Sequence, residues 1–142
     1  MLARLIKAGI ITALLAPTTL ASAQNAVPDL KGKWTGTVET VRLGEVFEHH
    51  GKPSPEVSFG SREFTITLER QEGRRFSGTR ASARATDPLI GMIHSDGKRF
   101  HMVDNDGTFM GELLRSDEME VCRTEVTPQS MTISCGTFTR QR

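Results

Sequence analysis

Polar and apolar residues alternate along most of the chain after Pro28, and this pattern constrains the fold more than any other feature of the sequence. In one run, Phe64, Ile66 and Leu68 take the even positions, and the odd positions between them are threonines. A second run with the same period starts at Trp34. A period of two places the apolar residues on one face of a half-buried antiparallel strand. The sequence therefore predicts an all-β fold.

Short turn sequences separate the alternating runs. The Asp96-Gly97 pair stands between the runs 89–94 and Arg99–Val103, which is a strong hairpin signal. Further turn sequences occur at residues 71–74, 104–107, 116–117 and 127–130. About eight short strands result, and an eight-stranded antiparallel up-and-down β-barrel would remove their exposed edges. An open sandwich is the alternative.

One connection is longer than a tight turn. Residues 44–60, between the first and second strands, include Phe47, His49, His50 and two prolines. In a closed barrel, a loop of this length would cover one mouth. The loop and the barrel rim could then form a protein-binding surface.

The N-terminal segment is typical of a secretory signal peptide. Arg4 and Lys7 precede an apolar run, and small residues at 21–23 form a cleavage site before Gln24. We therefore expect a signal peptide at residues 1–23 and a single β-barrel domain at residues 24–142. The apolar run is shorter than the roughly 20 residues of a membrane helix. We predict a periplasmic or secreted protein without a membrane span.

The charge balance argues against one class of partner. The full chain has 18 basic and 17 acidic residues, and removal of Arg4 and Lys7 with the signal leaves a net charge of −1. A protein that holds nucleic acid through its phosphates needs an excess of positive charge. We therefore expect no nucleic-acid partner.

Cys122 and Cys135 are predicted to form a disulfide. An exported pair is usually oxidised, and neither cysteine directly follows the signal, where a lipid-bearing cysteine would stand. A hairpin centred on the Pro-Gln pair between them places the two cysteines directly opposite each other. Which face of this hairpin is inward stays open, because Val121 and Phe138 lie on one face and the cysteines on the other.

Three segments resemble the calycin superfamily, which includes the lipocalins and the avidins. The Gly-Lys-Trp-Thr of residues 32–35 is similar to the opening of the first avidin strand. The Gly-Arg-Arg-Phe-Ser-Gly-Thr of residues 73–79 resembles the Gly-x-Phe-x-Gly-x-Tyr of the third avidin strand, with one extra residue. Residues 138–142 resemble the last strand. The resemblance implies a calycin-like barrel, and in lipocalins the long first loop is a lid.

The resemblance also implies a structural pair. Trp34 would fill the floor of the barrel, and Arg140 would stack on its indole and join the first strand to the last. The avidin ligand site is not implied, because Gly36 stands where avidins have a biotin-bonding Asn and Arg80 stands where they have a Tyr. A chain with one Trp also lacks the Trp-rich walls that hold biotin. We expect no biotin site.

Alternation on the third strand predicts a ligand-binding group. Arg80, Ser82 and Arg84 share the phase of Phe76, and an inward guanidinium needs a carboxylate, water or an anionic ligand. In one interpretation, Arg80, with Ser82 and Arg84 nearer the mouth, binds an anion in an otherwise apolar cup. An internal salt bridge, or a solvated outer face, would explain the same pattern.

We expect no metal, no cofactor and no catalytic centre. His94 and His101 are diagonal neighbours on one hairpin, and two histidines fall short of the three or four ligands that a zinc site generally has. The Asp-Asn-Asp-Gly of residues 104–107 fits a turn better than a calcium loop. The sequence has no Gly-x-Ser-x-Gly and no phosphate-binding glycine loop.

Two functions remain open at this point. The leading hypothesis is a barrel that binds a small, partly apolar molecule, with an anionic group if Arg80 contacts it. The alternative is a protein-interaction module or enzyme inhibitor that binds an envelope or extracellular protein through the 44–60 loop and the rim. A cavity on the order of several hundred Å³ would favour the ligand, and a barrel filled by side chains would favour the rim.

Overall fold

The computed structural model describes residues 26–44 and 54–142, which form a closed β-barrel. Its strands are β1 (Gly32–Gly44), β2 (Ser54–Glu72), β3 (Arg75–Ala81), β4 (Thr86–Ile93), β5 (Arg99–Val103), β6 (Thr108–Arg115), β7 (Glu118–Val126) and β8 (Ser130–Arg140). Each strand pairs antiparallel with the next, and β8 pairs with β1. The predicted all-β, eight-stranded up-and-down barrel is confirmed. The predicted signal peptide lies outside the described residues.

The first connection is shorter than the sequence predicts. Strand β2 begins at Ser54 rather than after Gly60, so the second part of the predicted 44–60 loop is strand. It pairs with the end of β1, where Gly44 lies opposite Ser54. The rest of the loop, including His49 and His50, lies outside the described residues.

Strand β2 extends beyond its neighbour β3. The pairing of β2 with β3 starts at Thr65, whereas its pairing with β1 reaches back to Ser54. Among the described residues, Ser54 and residues 58–64 are therefore paired along one edge only, toward β1. We call this end of the barrel, marked by Gly44 and Ser54, the open end.

Side chains fill the barrel from the opposite end, which we call the closed end. Trp34 is 0% exposed there, and its Nε1 donates a hydrogen bond to the Leu30 carbonyl at 2.9 Å. Arg140 lies opposite Trp34 in the β1–β8 register, with its Cζ 4.4 Å from the ring centroid. The other buried core residues of the strands are Val38, Ile66, Leu68, Phe76, Leu89, Ile93, Phe100, Met102, Phe109, Met119, Val121 and Phe138.

The last hairpin has its two faces assigned by burial. Val121 and Phe138 are buried in the barrel core. Cys122 and Cys135 lie opposite each other on the outer face and form a disulfide, with their Cα atoms 4.0 Å apart. The disulfide therefore joins β7 to β8 from outside the barrel.

Replacing Cys122 and Cys135 with serine is expected to lower the free energy of unfolding by about 3 kcal/mol. The bond closes a loop with a sequence separation of 13, and loop closure restricts the unfolded chain by about this amount. Urea unfolding, followed by the fluorescence of Trp34, measures the change. Wild-type protein treated with reductant is the control and should match the variant. Equal stability of oxidised wild type and variant would contradict the expectation.

Candidate functional site

A small cavity at the open end is lined by arginines and hydroxyl groups. Its volume is about 80 Å³. The charged and polar side chains of its lining are Arg42, Arg62, Arg80, Arg123, Thr40, Ser58, Ser61, Thr132 and Ser134. Phe59, Gly60 and Phe64 complete it, and none of the described lining residues is a carboxylate. We call it the arginine cavity.

The strand alternation explains why the arginines face inward. Arg80 has the phase of the buried Phe76 on β3, and Arg123 has the phase of the buried Val121 on β7. Side chains two residues apart on a strand point to the same face. Both guanidinium groups therefore enter the barrel, above the apolar core, and both are buried.

Three carboxylates that are not part of the cavity lining pair with these two arginines. Arg80 Nη1 donates to Asp104 Oδ2 at 3.2 Å. Arg123 donates through Nη1 to Glu125 Oε2 at 2.7 Å and through Nη2 to Asp106 Oδ1 at 2.5 Å. The predicted alternative of an internal salt bridge for Arg80 is therefore present in the structure. Its partner Asp104 is not one of the residues that line the cavity.

The turn between β5 and β6 supplies two of the three carboxylates. The Asp104 amide donates to the Gly107 carbonyl at 3.2 Å, and the Asp106 amide donates to Asp104 Oδ1 at 3.2 Å. At Gly107, an added Cβ would lie 2.6 Å from Arg123 Nε. Glycine at this position therefore leaves room for the guanidinium. The 104–107 segment forms a turn, as its sequence predicts.

Burial and mutual repulsion act on the cations around the cavity. Burial lowers the pKa of Arg80, and the nearby charge of Arg123 lowers that pKa further, against the effect of Asp104. Burial also lowers the pKa of Arg42, and Arg62 adds to that shift. An anion in the cavity would stabilise the charged form of each guanidinium.

The ion pairs of Asp104 and Arg123 change the pKa values of these two residues in a different way. Burial raises the pKa of Asp104, although Arg123 opposes the shift. Burial lowers the pKa of Arg123, but its hydrogen bond to Glu125 and the charges of Asp106 and Asp104 raise the pKa overall. The neighbouring carboxylates of Glu125, Asp106 and Asp104 therefore stabilise the charged form of Arg123.

Aromatic rings support the guanidinium of Arg80. Its Cζ lies 3.9 Å from the centroid of Phe64 and 5.4 Å from the centroid of Phe109. A cation held over a ring face gains electrostatic stabilisation and loses freedom to move. The rings therefore fix the direction in which Arg80 can present its nitrogens.

The structure separates the three predicted ligand-binding residues. Arg80 lines the cavity, but β3 ends at Ala81. Ser82 lies in the connection to β4, where its Oγ accepts hydrogen bonds from the Arg84 amide at 3.2 Å and the Ala85 amide at 3.3 Å. Arg84 is exposed in the same connection. These two residues shape a turn and do not line the cavity.

Sequence reasoning missed three of the four cavity arginines. Arg42 and Arg62 extend the even-numbered inward phases of Trp34 and Ile66, so alternation could have placed both inside. Arg123 shares the phase of Val121 on β7, but the sequence alone does not show which face of β7 is inward. The burial of Val121 and Phe138 in the structure shows it. The predicted structural pair, Trp34 and Arg140, lies at the closed end, away from this cavity.

The described histidines do not form a metal site. The rings of His94 and His101 meet edge to face, with centroids 4.8 Å apart. In residues 26–44 and 54–142, no group of three or more His, Cys, Asp or Glu side chains is placed to hold a metal ion. The same residues contain no helix long and apolar enough to cross a membrane.

The space inside the barrel below the arginine cavity is nearly filled. A void lined by Val38, Ile66, Phe109 and Phe138 is about 10 Å³, about enough for one water molecule. A drug-sized ligand needs a site of roughly 300–1,000 Å³. In this part of the barrel, the protein's own side chains therefore fill the space where the sequence predicts an apolar cup next to Arg80.

Comparisons with known proteins add little to this picture. No family model matches the chain, and no curated protein matches it. Among solved structures, the chain is similar to the S-type phycobiliprotein lyase CPES from Guillardia theta, at 14% identity and a TM-score of 0.37. The match covers 80% of this chain and 89% of that one. Likeness at this level carries no argument about activity or ligand. The closed eight-stranded barrel itself is the architecture that the calycin resemblance implies.

Proposed function

We propose that this protein binds the anionic group of a small molecule in the arginine cavity. The observation that carries the proposal is the lining itself, in which four guanidinium groups meet the inward hydroxyl groups of Thr40, Ser58, Thr132 and Ser134, and no described lining residue is a carboxylate. Guanidinium groups bind carboxylates and phosphates through charge-assisted hydrogen bonds, which are stronger than neutral ones. Hydroxyl groups add donors that adjust to the anion.

The size of the cavity limits what can enter it. A volume of about 80 Å³ holds several water molecules, which is the scale of a carboxylate or phosphate group and not of a whole drug-sized ligand. We therefore place the ionic part of the ligand in the cavity and the rest of it outside. The small, partly apolar ligand expected from the sequence fits this arrangement only if its apolar part stays outside the barrel core.

Binding without turnover is the activity that the lining favours. Guanidinium groups remain charged at physiological pH, and the described lining contains no histidine or carboxylate that could act as a general base. The alternative of protein docking through the loop after β1 depends on residues 45–53, outside the described ranges. The anion site therefore carries the proposal.

We also propose that the protein works in the periplasm or outside the cell. The disulfide between Cys122 and Cys135 fits an oxidising compartment, and the signal-like residues 1–23 support export.

Replacing Arg62 with glutamine is expected to weaken the binding of acetate and of inorganic phosphate by about tenfold or more. Arg62 lines the cavity, and one hydrogen bond to a charged group contributes about 1.5–3 kcal/mol. Isothermal titration calorimetry at low ionic strength measures the change. Binding to the wild type should also weaken with added salt, as an electrostatic contact does.

Arg84→Gln is the matched control for this experiment. It removes the same charge from an exposed position outside the cavity, so the affinity for both anions should stay near that of the wild type. Equal losses in the two variants would indicate general charge attraction and would contradict a defined site. Absence of saturable binding of both anions to the wild type would overturn the proposed function.

A further inference from the structure

Apolar side chains cover the outside of the barrel near the open end. They occupy the outward positions of β7, β8, β1 and β2. The exposed ones are Leu43, Val57, Phe59, Val126, Met131 and Ile133, and the half-buried Val41 lies among them. Phe59 is 83% exposed and Val126 is 71% exposed. We call this set the outer apolar face.

The register makes the outer apolar face continuous across three strands. Val41 lies opposite Phe59 on β2 and opposite Ile133 on β8. Leu43 lies opposite Met131 in the next outward row. Cross-strand neighbours have Cβ atoms about 5 Å apart, so these side chains form one contiguous surface. Contiguous apolar surface on a protein commonly marks a binding site.

A groove on this face meets the arginine cavity at Gly60. The groove has a volume of about 680 Å³. Val41, Phe59 and Ile133 supply its apolar side chains, and Glu39 and Cys135 also line it. It shares five lining residues with the cavity, namely Thr40, Phe59, Gly60, Ser61 and Ser134. Consecutive residues of a strand point to opposite faces, and residues 59–61 line both the cavity and the groove. The β2 backbone at these residues therefore separates the two, and we call it the lip.

Glycine keeps this lip low. Gly60 lies opposite Thr40 in the register, and a Cβ added at Gly60 would meet no atom of residues 26–44 or 54–142 within 4 Å. These residues therefore leave the space beside the backbone open. A chain can pass from the cavity over Gly60 to the groove without displacing a side chain at this residue.

We propose that the ligand is a single-chain anionic amphiphile. Its anionic head occupies the arginine cavity, and its alkyl chain crosses the lip at Gly60 and lies in the groove along the outer apolar face. The proposal rests on the proposed function, because the head group uses the same four arginines. A small cationic cavity shares walls with a groove that carries the apolar side chains Val41, Phe59 and Ile133. This arrangement favours a ligand with an anionic head and an alkyl chain over a wholly polar anion or a wholly apolar molecule.

Acetate, dodecanoate and dodecanol, used below their aggregation concentrations, test the head and the chain separately. We expect dodecanoate to bind the wild type at least about tenfold more tightly than acetate, since each methylene removed from water strengthens binding by about fourfold. Dodecanol has the same chain without the charge and should bind more weakly than dodecanoate. Calorimetry or equilibrium dialysis gives the three affinities.

A pair of matched double variants locates the chain. Val41→Ser with Ile133→Ser makes two neighbouring groove positions polar, and neither residue lines the arginine cavity. This variant should bind dodecanoate about tenfold more weakly and acetate with unchanged affinity. Ile90→Ser with Val103→Ser makes the same change at an exposed cross-strand pair of β4 and β5, away from the groove. That variant should bind both probes as the wild type does.

These experiments distinguish a failure of the amphiphile proposal from a failure of the proposed function. If acetate binds and dodecanoate binds no more tightly, the groove is not a chain site, while the anion site stands. If neither probe binds, both proposals fail. Equal loss of dodecanoate binding in the two double variants would overturn the placement of the chain. Binding only to phosphatidylglycerol vesicles, or a wild-type dimer that the Val41/Ile133 variant dissociates, would assign the face to a membrane or to a second copy and overturn the amphiphile.

Discussion

Trp34→Ala is expected to lower the free energy of unfolding by about 3–5 kcal/mol, the range typical of large aromatic residues truncated in a core. The side chain is 0% exposed at the closed end. Its loss removes the surface on which Arg140 stacks and the hydrogen bond from Nε1 to the Leu30 carbonyl at 2.9 Å. The variant therefore loses packing together with a contact that joins β1 to β8.

Urea unfolding followed by circular dichroism measures this loss, because the variant has no tryptophan fluorescence. Phe59→Ala is the control, since Phe59 is a large aromatic residue that is 83% exposed. A surface substitution of this kind should change stability by no more than about 0.5 kcal/mol. If both variants lost the same stability, Trp34 would not close the barrel as described.

Arg123→Met is expected to lower the free energy of unfolding by about 3–5 kcal/mol, which is typical of removing one partner from a buried ion pair. Arg123 is 4% exposed and hydrogen-bonded to Glu125 and Asp106. Its Nε also lies 3.8 Å from Asp104 Oδ2. Methionine fills part of the volume but leaves buried carboxylates without this cation. Urea unfolding at neutral pH tests the expectation.

The loss in Arg123→Met should shrink as the pH falls. Burial raises the pKa of Asp104 above its ordinary value of 3.8, and Arg123 opposes this shift, so removal of Arg123 raises the folded-state pKa further. Between 3.8 and that raised value, the folded state binds more protons than the unfolded state, and stability decreases as pH rises. The variant should therefore lose more stability relative to wild type at neutral pH than in mild acid.

A double variant identifies the source of the Arg123→Met effect. Combining Arg123→Met with Glu125→Leu should recover part of the lost free energy of unfolding, because the double variant no longer buries the Glu125 carboxylate without its partner. Equal stability of the single and double variants, together with a loss that does not change with pH, would contradict the role assigned to this cluster.

Much of the barrel could be predicted from local sequence. Alternation around Phe64 and Ile66, together with the Asp-Gly hairpin at 96–97, fixes strand period and turn position over distances of a few residues. The register that joins Cys122 to Cys135 follows from turn symmetry alone. These features depend on neighbours in the chain, which is why they can be derived without the tertiary structure.

The candidate site could be predicted only in part. Alternation indicated that Arg80 points inward, but the partner of Arg80 comes from a turn 24 residues later. The sequence correctly predicts that Asp104 and Asp106 form a turn, but their second role as ion-pair partners depends on the curvature that closes the barrel. Alternation also predicts that Ser82 points inward with Arg80, but β3 ends before it.

The length of β2 beyond β3 has a consequence for how fast a ligand could exchange. Residues 58–62 line the arginine cavity, and within the described residues they are paired only with β1. The proposed ligand could therefore approach the guanidinium groups past this edge of β2 without breaking an interstrand hydrogen bond of the described residues. Its entry and exit would then be governed by diffusion and by the attraction of the cationic cavity, so that a barrel with a filled interior would still exchange such a ligand rapidly.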